Sequence, residues 1–250
     1  MGNCSRENSL LLRKYQNLNI LSFLEKIISL IKKDKNYKFN TSYSFKELMY
    51  IIFYRLIQLV RGFKLLFKCK NSHLPVFCGR SVKVEHGYLV TFNSGFIIED
   101  NVYINALSES GIIVGRNVTI ARNASLICTG VIAKKGVGIS IGNNSAIGAY
   151  SFLSGQGGLT IGNDVIMGPG VKIFSENHNY NDPNILIRKQ GENRKGITIE
   201  DNCWIGAGVI ILDGVIIGSG SVIAAGSVVT KSLEKNSIAA GVPATIIKYR

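Results

Sequence analysis

Acidic side chains, histidine and tryptophan are all scarce in this 250-residue chain: 16 Asp and Glu stand against 29 Lys and Arg, with three histidines and one tryptophan. The histidines, His73, His86 and His178, lie far apart, and none belongs to a Cys/His pattern with metal-ligand spacing, so no metal is expected. Five cysteines, Cys4, Cys69, Cys78, Cys128 and Cys203, are an odd number without a C-x-x-C pair. The amino terminus has no short apolar core leading to a cleavage site. These absences argue against a disulfide framework and a secretory leader, and point to a cytoplasmic protein with free thiols. The opening Met1-Gly2-Asn3-Cys4-Ser5-Arg6 places Arg6 where an N-myristoylation motif wants Ser or Thr. A phosphate-binding loop, a G-x-G-x-x-G after a strand and a recognised nucleic-acid module are all missing, so no nucleic-acid partner is expected.

The positive charge is unevenly placed. Residues 1–75 carry 14 basic and 4 acidic side chains, net +10, whereas residues 76–250 carry 15 and 12, net +3. Glycine splits the other way, 2 before the boundary and 25 after it. Two segments with different physics therefore meet near Pro75: a basic helical segment, 1–75, and a glycine-rich domain, 76–250. In the first, Ser44-Phe45-Lys46-Glu47 forms a capping box, and the sequence then holds a helical register without proline to Lys68. On a helical wheel Leu48, Met49, Ile52, Phe53, Leu56, Leu59, Val60, Phe63, Leu66 and Phe67 share one apolar arc, with Arg55, Gln58, Arg61, Lys64 and Lys68 outside it. Arg55 breaks the apolar run well short of the roughly 18 residues needed to span a bilayer. A weaker helical pattern runs from about Leu18 to Ile31.

In the second segment, aliphatic residues recur every six positions from Ile98 onward. Val114, Ile120 and Leu126 form one triple; Ile141, Ile147 and Leu153 another; then follow Ile161, Met167 and Ile173, then Ile199, Ile205 and Ile211, then Ile217, Ile223 and Val229. Four places after many of them stands a small or branched residue, among them Val102, Val118, Ala124, Ser145, Val165, Val171, Cys203, Val209 and Ser227. A period of six fits neither an amphipathic helix nor a hairpin strand. It fits a coil with three flat sides, in which Gly, Asn or Asp relieves the backbone at each corner and 18 residues complete a turn. Stacked as parallel strands about 4.8 Å apart, five or six coils make a rod. The repeat stops over 179–196, an excursion long enough to suggest a functional loop.

The hexapeptides, together with Ser175-Glu176-Asn177-His178-Asn179-Tyr180, Ile199-Glu200-Asp201-Asn202-Cys203-Trp204-Ile205-Gly206-Ala207-Gly208, and the ending Ala225-Gly226-Ser227-Val228-Val229-Thr230-Lys231 through Ala240-Gly241-Val242-Pro243-Ala244, resemble the hexapeptide-repeat acyltransferases. The likeness is to their maltose, galactoside and polysaccharide O-acetyltransferase branch. It implies a mainly β fold, a left-handed parallel β-helix carrying the α-helical basic segment at its amino end. It also implies a homotrimer with sites between neighbouring rods, and acetyl-CoA as acyl donor.

By the same resemblance His178 is the general base, a role suited to a neutral imidazole, since attack of a hydroxyl on a thioester needs a proton acceptor and no covalent nucleophile. Glu176, Asn177, Tyr180 and Gln190 are the expected acceptor contacts; Glu176 and Asn177 also stand where they would fix the ring's tautomer, a task a backbone carbonyl would do equally well. Trp204, Ala207, Ala225, Thr230, Lys231 and Lys248 fall where the family binds coenzyme A. Two departures stand out. The basic residue expected shortly after Pro243 is Thr245, and Gly148 occupies the place of an acceptor-holding Asn. The pattern Tyr103-Ile104-Asn105 lies about three coils away, roughly 15 Å along a rod. The resulting expectation is an O-acetyltransferase acting on a sugar or lipid-linked oligosaccharide of a bacterial surface polysaccharide, with the basic helix touching the anionic inner face of the cytoplasmic membrane. The alternatives are an N-acetyltransferase of a nucleotide-linked amino sugar, a non-enzymatic trimeric scaffold, and helices that pack on the trimer without meeting lipid.

Overall fold

A computed structural model describes residues 21–30, 35, 36, 38 and 43–250. The amino-terminal motif and Cys4 lie outside these residues, as do the first three residues and the last of the weaker helical pattern. Residues 21–30 are helical (α1), and a second helix, α2, spans Phe45–Lys68. Its start is fixed by the capping box: Ser44 N–H donates to Glu47 Oε2 at 2.7 Å and Glu47 N–H to Ser44 Oγ at 3.3 Å. Among the described residues no helix is long and apolar enough to cross a membrane.

The rest of the chain winds into a three-sided parallel solenoid of seven coils. The first face stacks Asn71–Ser72, Val90–Phe92, Ile112–Val114, Ile139–Ile141, Leu159–Ile161, Ile197–Ile199 and Ile216–Ile217. The second stacks Val76–Cys78, Phe96–Ile98, Thr119–Ile120, Ala146–Ile147, Ile166–Met167, Trp204–Ile205 and Val222–Ile223. The third stacks Lys83–Glu85, Tyr103–Asn105, Ser125–Ile127, Phe152–Ser154, Lys172–Phe174, Ile210–Leu212 and Val228–Val229. A hairpin of Ser237–Gly241 and Ala244–Tyr249 closes the carboxyl end, its first strand parallel to Val222–Ile223 and its second antiparallel to the first.

Registers such as Leu159↔Ile197 and Ile161↔Ile199 put like residues above like, so every member of the five complete aliphatic triples is buried, as are all nine of the named residues four places on. Each fully buried aliphatic side chain contributes about 1.5–3 kcal/mol, which makes this inner column the main source of stability. Corners use Asn and Asp in the left-handed region, among them Asn101, Asn117, Asn144, Asp164 and Asn202. Along the edge between first and second faces, side chains also tie coil to coil. Arg116 N–H donates to Asn143 Oδ1, Asn143 N–H to Asn163 Oδ1 and Asn163 N–H to Asp201 Oδ1, at 2.8, 2.8 and 2.6 Å.

The solenoid starts four strands ahead of Ile98, where the six-residue period begins. Val76, Val84, Val90, Phe92 and Phe96 fill the early interior, with the Phe92 and Phe96 rings 5.3 Å apart. Helix α2 packs along the strand Val76–Cys78, and Leu65 joins the solenoid core. The helix docks by a mixed flank in which Gln58, Gly62 and Arg55 stand beside Leu65 and Leu66, so the apolar arc of the wheel is only partly turned to the rod. Gln58 is buried and accepts from Arg55 Nη1 at 2.7 Å, the Arg55 guanidinium lies over the Phe77 ring, and Tyr54 Oη donates to Asp100 Oδ1 at 3.4 Å. Gly62 makes this approach close enough that a Cβ there would collide with the Val76 carbonyl oxygen.

Candidate active site

Every long departure from the solenoid leaves from the edge joining the third face to the first. One covers residues 106–111, a second 128–138 and a third 175–196. The middle one has no counterpart in the sequence reading. Thr129 Oγ1 donates to the Leu107 carbonyl and accepts the Gly136 N–H, so the first two excursions brace each other, and Ser108 forms a bridge with Gly136. The third is folded: Asn177–His178 and Glu192–Asn193 form an antiparallel ladder, and Ile187–Lys189 makes one turn of 3-10 helix.

His178 sits on the first of these strands, exposed, and its imidazole makes no hydrogen bond with the described residues. Directly across the ladder is Glu192, whose carboxylate lies 3.5 Å from Lys134 Nζ on the 128–138 excursion. Asn179 N–H donates to the Gly191 carbonyl at 3.0 Å, so by alternation His178 and Glu192 form a pair without ladder bonds, Cα atoms about 4.5 Å apart and side chains on one face. Glu192 and Lys134 are the residues that sequence reasoning missed. Glu192 was hidden because only the pairing of the excursion's two arms brings position 192 to position 178.

The expected acceptor contacts divide. Asn177 and Tyr180 are exposed beside His178. Glu176 is held: its carboxylate accepts from Arg194 Nε at 2.6 Å and Gln156 Nε2 at 3.3 Å, while Arg194 Nη1 donates to the Lys135 carbonyl at 2.9 Å. With side chains 9% and 15% exposed, Arg194 and Glu176 are a nearly buried ion pair joining the two arms of the third excursion to the second. Gln190 is also committed internally, accepting from Asp182 N–H and donating to the Asp182 and Ile185 carbonyls. Tyr103 and Asn105 lie in the second coil, three coils before His178; Tyr103 Oη donates to Glu85 at 2.6 Å and Asn105 Oδ1 accepts the Leu107 N–H. At Gly148 a Cβ would strike the Gly168 carbonyl oxygen, leaving no room for an acceptor-binding side chain.

The expected donor residues are divided among two edges, the second face and the closing hairpin. Ala207 and Ala225 occupy successive corners between the second and third faces, where Gly226 N–H donates to the Ala207 carbonyl at 2.8 Å. Trp204, 57% exposed, projects from the second face between Ile166 and Val222. Thr230 and Lys231 lie on the edge that carries His178, and Lys248 on the closing hairpin opposite Ile238, all three exposed. Thr245 pairs with Ala240 in that hairpin. One chain therefore separates the Ala207 edge from the His178 edge by the width of the third face. Cys128 and Cys203 are interior residues, burial pushing the Cys128 thiol up to about 12 and raising that of Cys203. Among the described residues no group of His, Cys, Asp and Glu is placed to hold a metal ion.

Comparison with known proteins places this geometry. Residues 196–231 match the family described as bacterial transferase hexapeptide (six repeats), and residues 95–128 that described as hexapeptide repeat of succinyl-transferase. Galactoside O-acetyltransferase of Lactococcus lactis is 45% identical over 87 residues, 34% of this chain and 41% of that protein. The enzyme of the same name from Escherichia coli is 40% identical over 91 residues, 36% and 43%. The chain spans less than half the length of these curated relatives. Among solved structures, a mutant of AntD, an N-acyltransferase from Bacillus cereus in complex with dTDP-4-amino-4,6-dideoxyglucose and coenzyme A, gives a TM-score of 0.55 at 20% identity over 76% of this chain and 88% of that one. The solenoid is thus a left-handed parallel β-helix, and two of its stretches are similar to the hexapeptide repeats of bacterial transferases.

Proposed function

We propose that this chain transfers an acetyl group from acetyl-CoA to a sugar hydroxyl of a bacterial surface polysaccharide such as capsule or O-antigen, or to its nucleotide- or lipid-linked precursor, on the cytoplasmic side of the membrane. The observation that carries the reading is His178: exposed, not consumed by an internal hydrogen bond, and set on a hairpin at the edge that bears every excursion. The acceptor hydroxyl gives its proton to the imidazole as its oxygen bonds to the thioester carbonyl carbon. The C–S bond then breaks, and the imidazolium returns the proton to the departing thiolate.

Trp204, Ala207, Ala225, Thr230, Lys231 and Lys248 suit the donor, offering an exposed indole, small corners open to a pantetheine arm, and cations for phosphates. Because Ala207 and Ala225 lie on one edge and His178, Thr230 and Lys231 on another, a homotrimer is part of the reading: the Ala207 edge of one copy beside the His178 edge of the next encloses one donor. Asn177 and Tyr180 then face the acceptor, while Glu176 and Gln190 act by holding the excursion in shape.

The test is acetyl-CoA binding by calorimetry and thiol release, wild type beside His178→Ala. Binding by both, with release in the wild type alone, supports the reading, and an acceptor screen then follows. Turnover of UDP-amino sugars in preference to hydroxyl acceptors would replace it with N-acetylation, and absence of coenzyme A binding would overturn it in favour of a scaffold.

A further inference from the structure

Helix α2 turns much of its apolar arc away from the rod. Its inward flank is Leu48, Gln58, Gly62 and Leu65, whereas Met49, Phe53, Leu56, Val60, Phe63 and Phe67 face away from the rod. Their steps of four and three residues keep them in one line along the helix, and their exposures run from 43% at Met49 to 91% at Phe67. A solvent-facing stripe of six large apolar side chains, three of them Phe, on a helix about 36 Å long is the kind of surface that soluble proteins keep for an occupant.

Charge selects the occupant. Around the stripe the exposed ionisable groups of α2 are Lys46, Lys64 and Lys68, and its one acidic residue, Glu47, is bound into the cap, where hydrogen bonds from Ser44 hold its carboxyl below the usual range. Stripe against stripe, two copies would bring these cations together with no carboxylate of either helix free to meet them. An anionic lipid surface matches both features: phenyl rings enter the interface, and lysines on the flank of the stripe reach headgroup phosphates.

We infer that α2 is a lipid-contacting helix, docked on the rod by its mixed flank so that Met49, Phe53, Leu56, Val60, Phe63 and Phe67 lie against an anionic bilayer. The mixed flank explains how the helix is rigidly held and still available: Arg55, Gln58 and Gly62 anchor it on Val76–Cys78, leaving the stripe free. This goes beyond the acyl transfer proposed for the chain, and is independent of His178.

The experiment is flotation of the full chain with phosphatidylcholine vesicles and with vesicles of mixed phosphatidylcholine and phosphatidylglycerol. The expected result is flotation with the mixed vesicles, reversed by high salt. The double variant Phe53→Ser, Val60→Ser should weaken it about tenfold or more, and Lys64→Gln with Lys68→Gln by a similar factor. Both variants change exposed side chains, and unchanged thermal melting and acetyl-CoA binding show that the rod is intact. No flotation with mixed vesicles, or flotation indifferent to both variants, would overturn the inference. So would an assembly of copies, measured by light scattering, that Phe53→Ser with Val60→Ser dissociates while vesicles are ignored.

Discussion

Glu192 stands directly opposite His178 in the two-stranded ladder of the third excursion, and Lys134 from the second excursion lies 3.5 Å from its carboxylate. If His178 takes the hydroxyl's proton as proposed, a carboxylate facing it would attract the positive charge that the ring then carries. Glu192→Gln should therefore lower kcat about tenfold or more with KM for acetyl-CoA unchanged, and His178→Ala should lower it about 10²- to 10⁴-fold with donor binding retained. Steady-state kinetics beside calorimetry separates the two effects; equal kcat in wild type and His178→Ala would remove His178 from the chemistry.

The ion pair of Arg194 and Glu176 clamps the same excursion at its root. Removing one partner leaves a nearly buried charge alone, so Arg194→Met should cost about 3–5 kcal/mol in urea unfolding. Glu176→Met added to it should restore much of that loss, since no unpaired charge then remains. A Lys at position 194 keeps the charge but not the fork that reaches both Glu176 and the Lys135 carbonyl, and should recover stability only in part.

Much of the rod could be read from the chain, because a period of six leaves no other regular structure and the triples from Val114 to Val229 are all interior. The first coil and the start of the second were obscured, since Phe92 stands where the six-residue period before Ile98 would put an aliphatic residue. The 128–138 excursion, whose Val131 and Ile132 are 52% and 100% exposed, interrupts the period between Leu126 and Ile141 without a signal of its own. The wheel of α2 sets Gln58 and Gly62 apart from the exposed stripe, but its apolar arc also holds Leu48, which is buried, and Leu66, which packs on the core. It does not say which side docks, and here Gly62, the residue that permits close approach, lies outside that arc. At the site, position along the coil located His178, while its partner Glu192 depended on a pairing 14 residues apart that no periodicity encodes.

The buried thiols give a pH-dependent test. Burial raises Cys78 and Cys203, and pushes Cys69 up to about 11 and Cys128 up to about 12. An unfolded chain would ionise these groups near pH 8.5, releasing protons that the folded chain keeps. Stability is therefore at its full value below that pH and should decline as pH rises through it. Native protein at pH 8 should react with iodoacetamide at these four cysteines far more slowly than protein in urea, as counted by mass spectrometry.

At Gly62 a side chain has nowhere to go but into the Val76 carbonyl. Gly62→Val should cost about 1–3 kcal/mol and loosen α2 from the first coil. Limited proteolysis should then cut within 45–68 sooner than in the wild type, with the fragment from the later coils persisting; an unchanged digestion pattern would show that the helix accommodates the change.

The two ends of the rod are finished differently, one by a helix laid along Val76–Cys78, the other by the strand Ala244–Tyr249 running back against Ser237–Gly241. A stack of parallel strands left bare at either end would be a template on which a second molecule could add its own first coil, then a third, without limit. On the second face both edges are covered, which opposes head-to-tail growth there. In the trimer proposed above, rods so terminated would meet side by side, in an association that closes on itself as a finite ring of copies instead of growing into a filament.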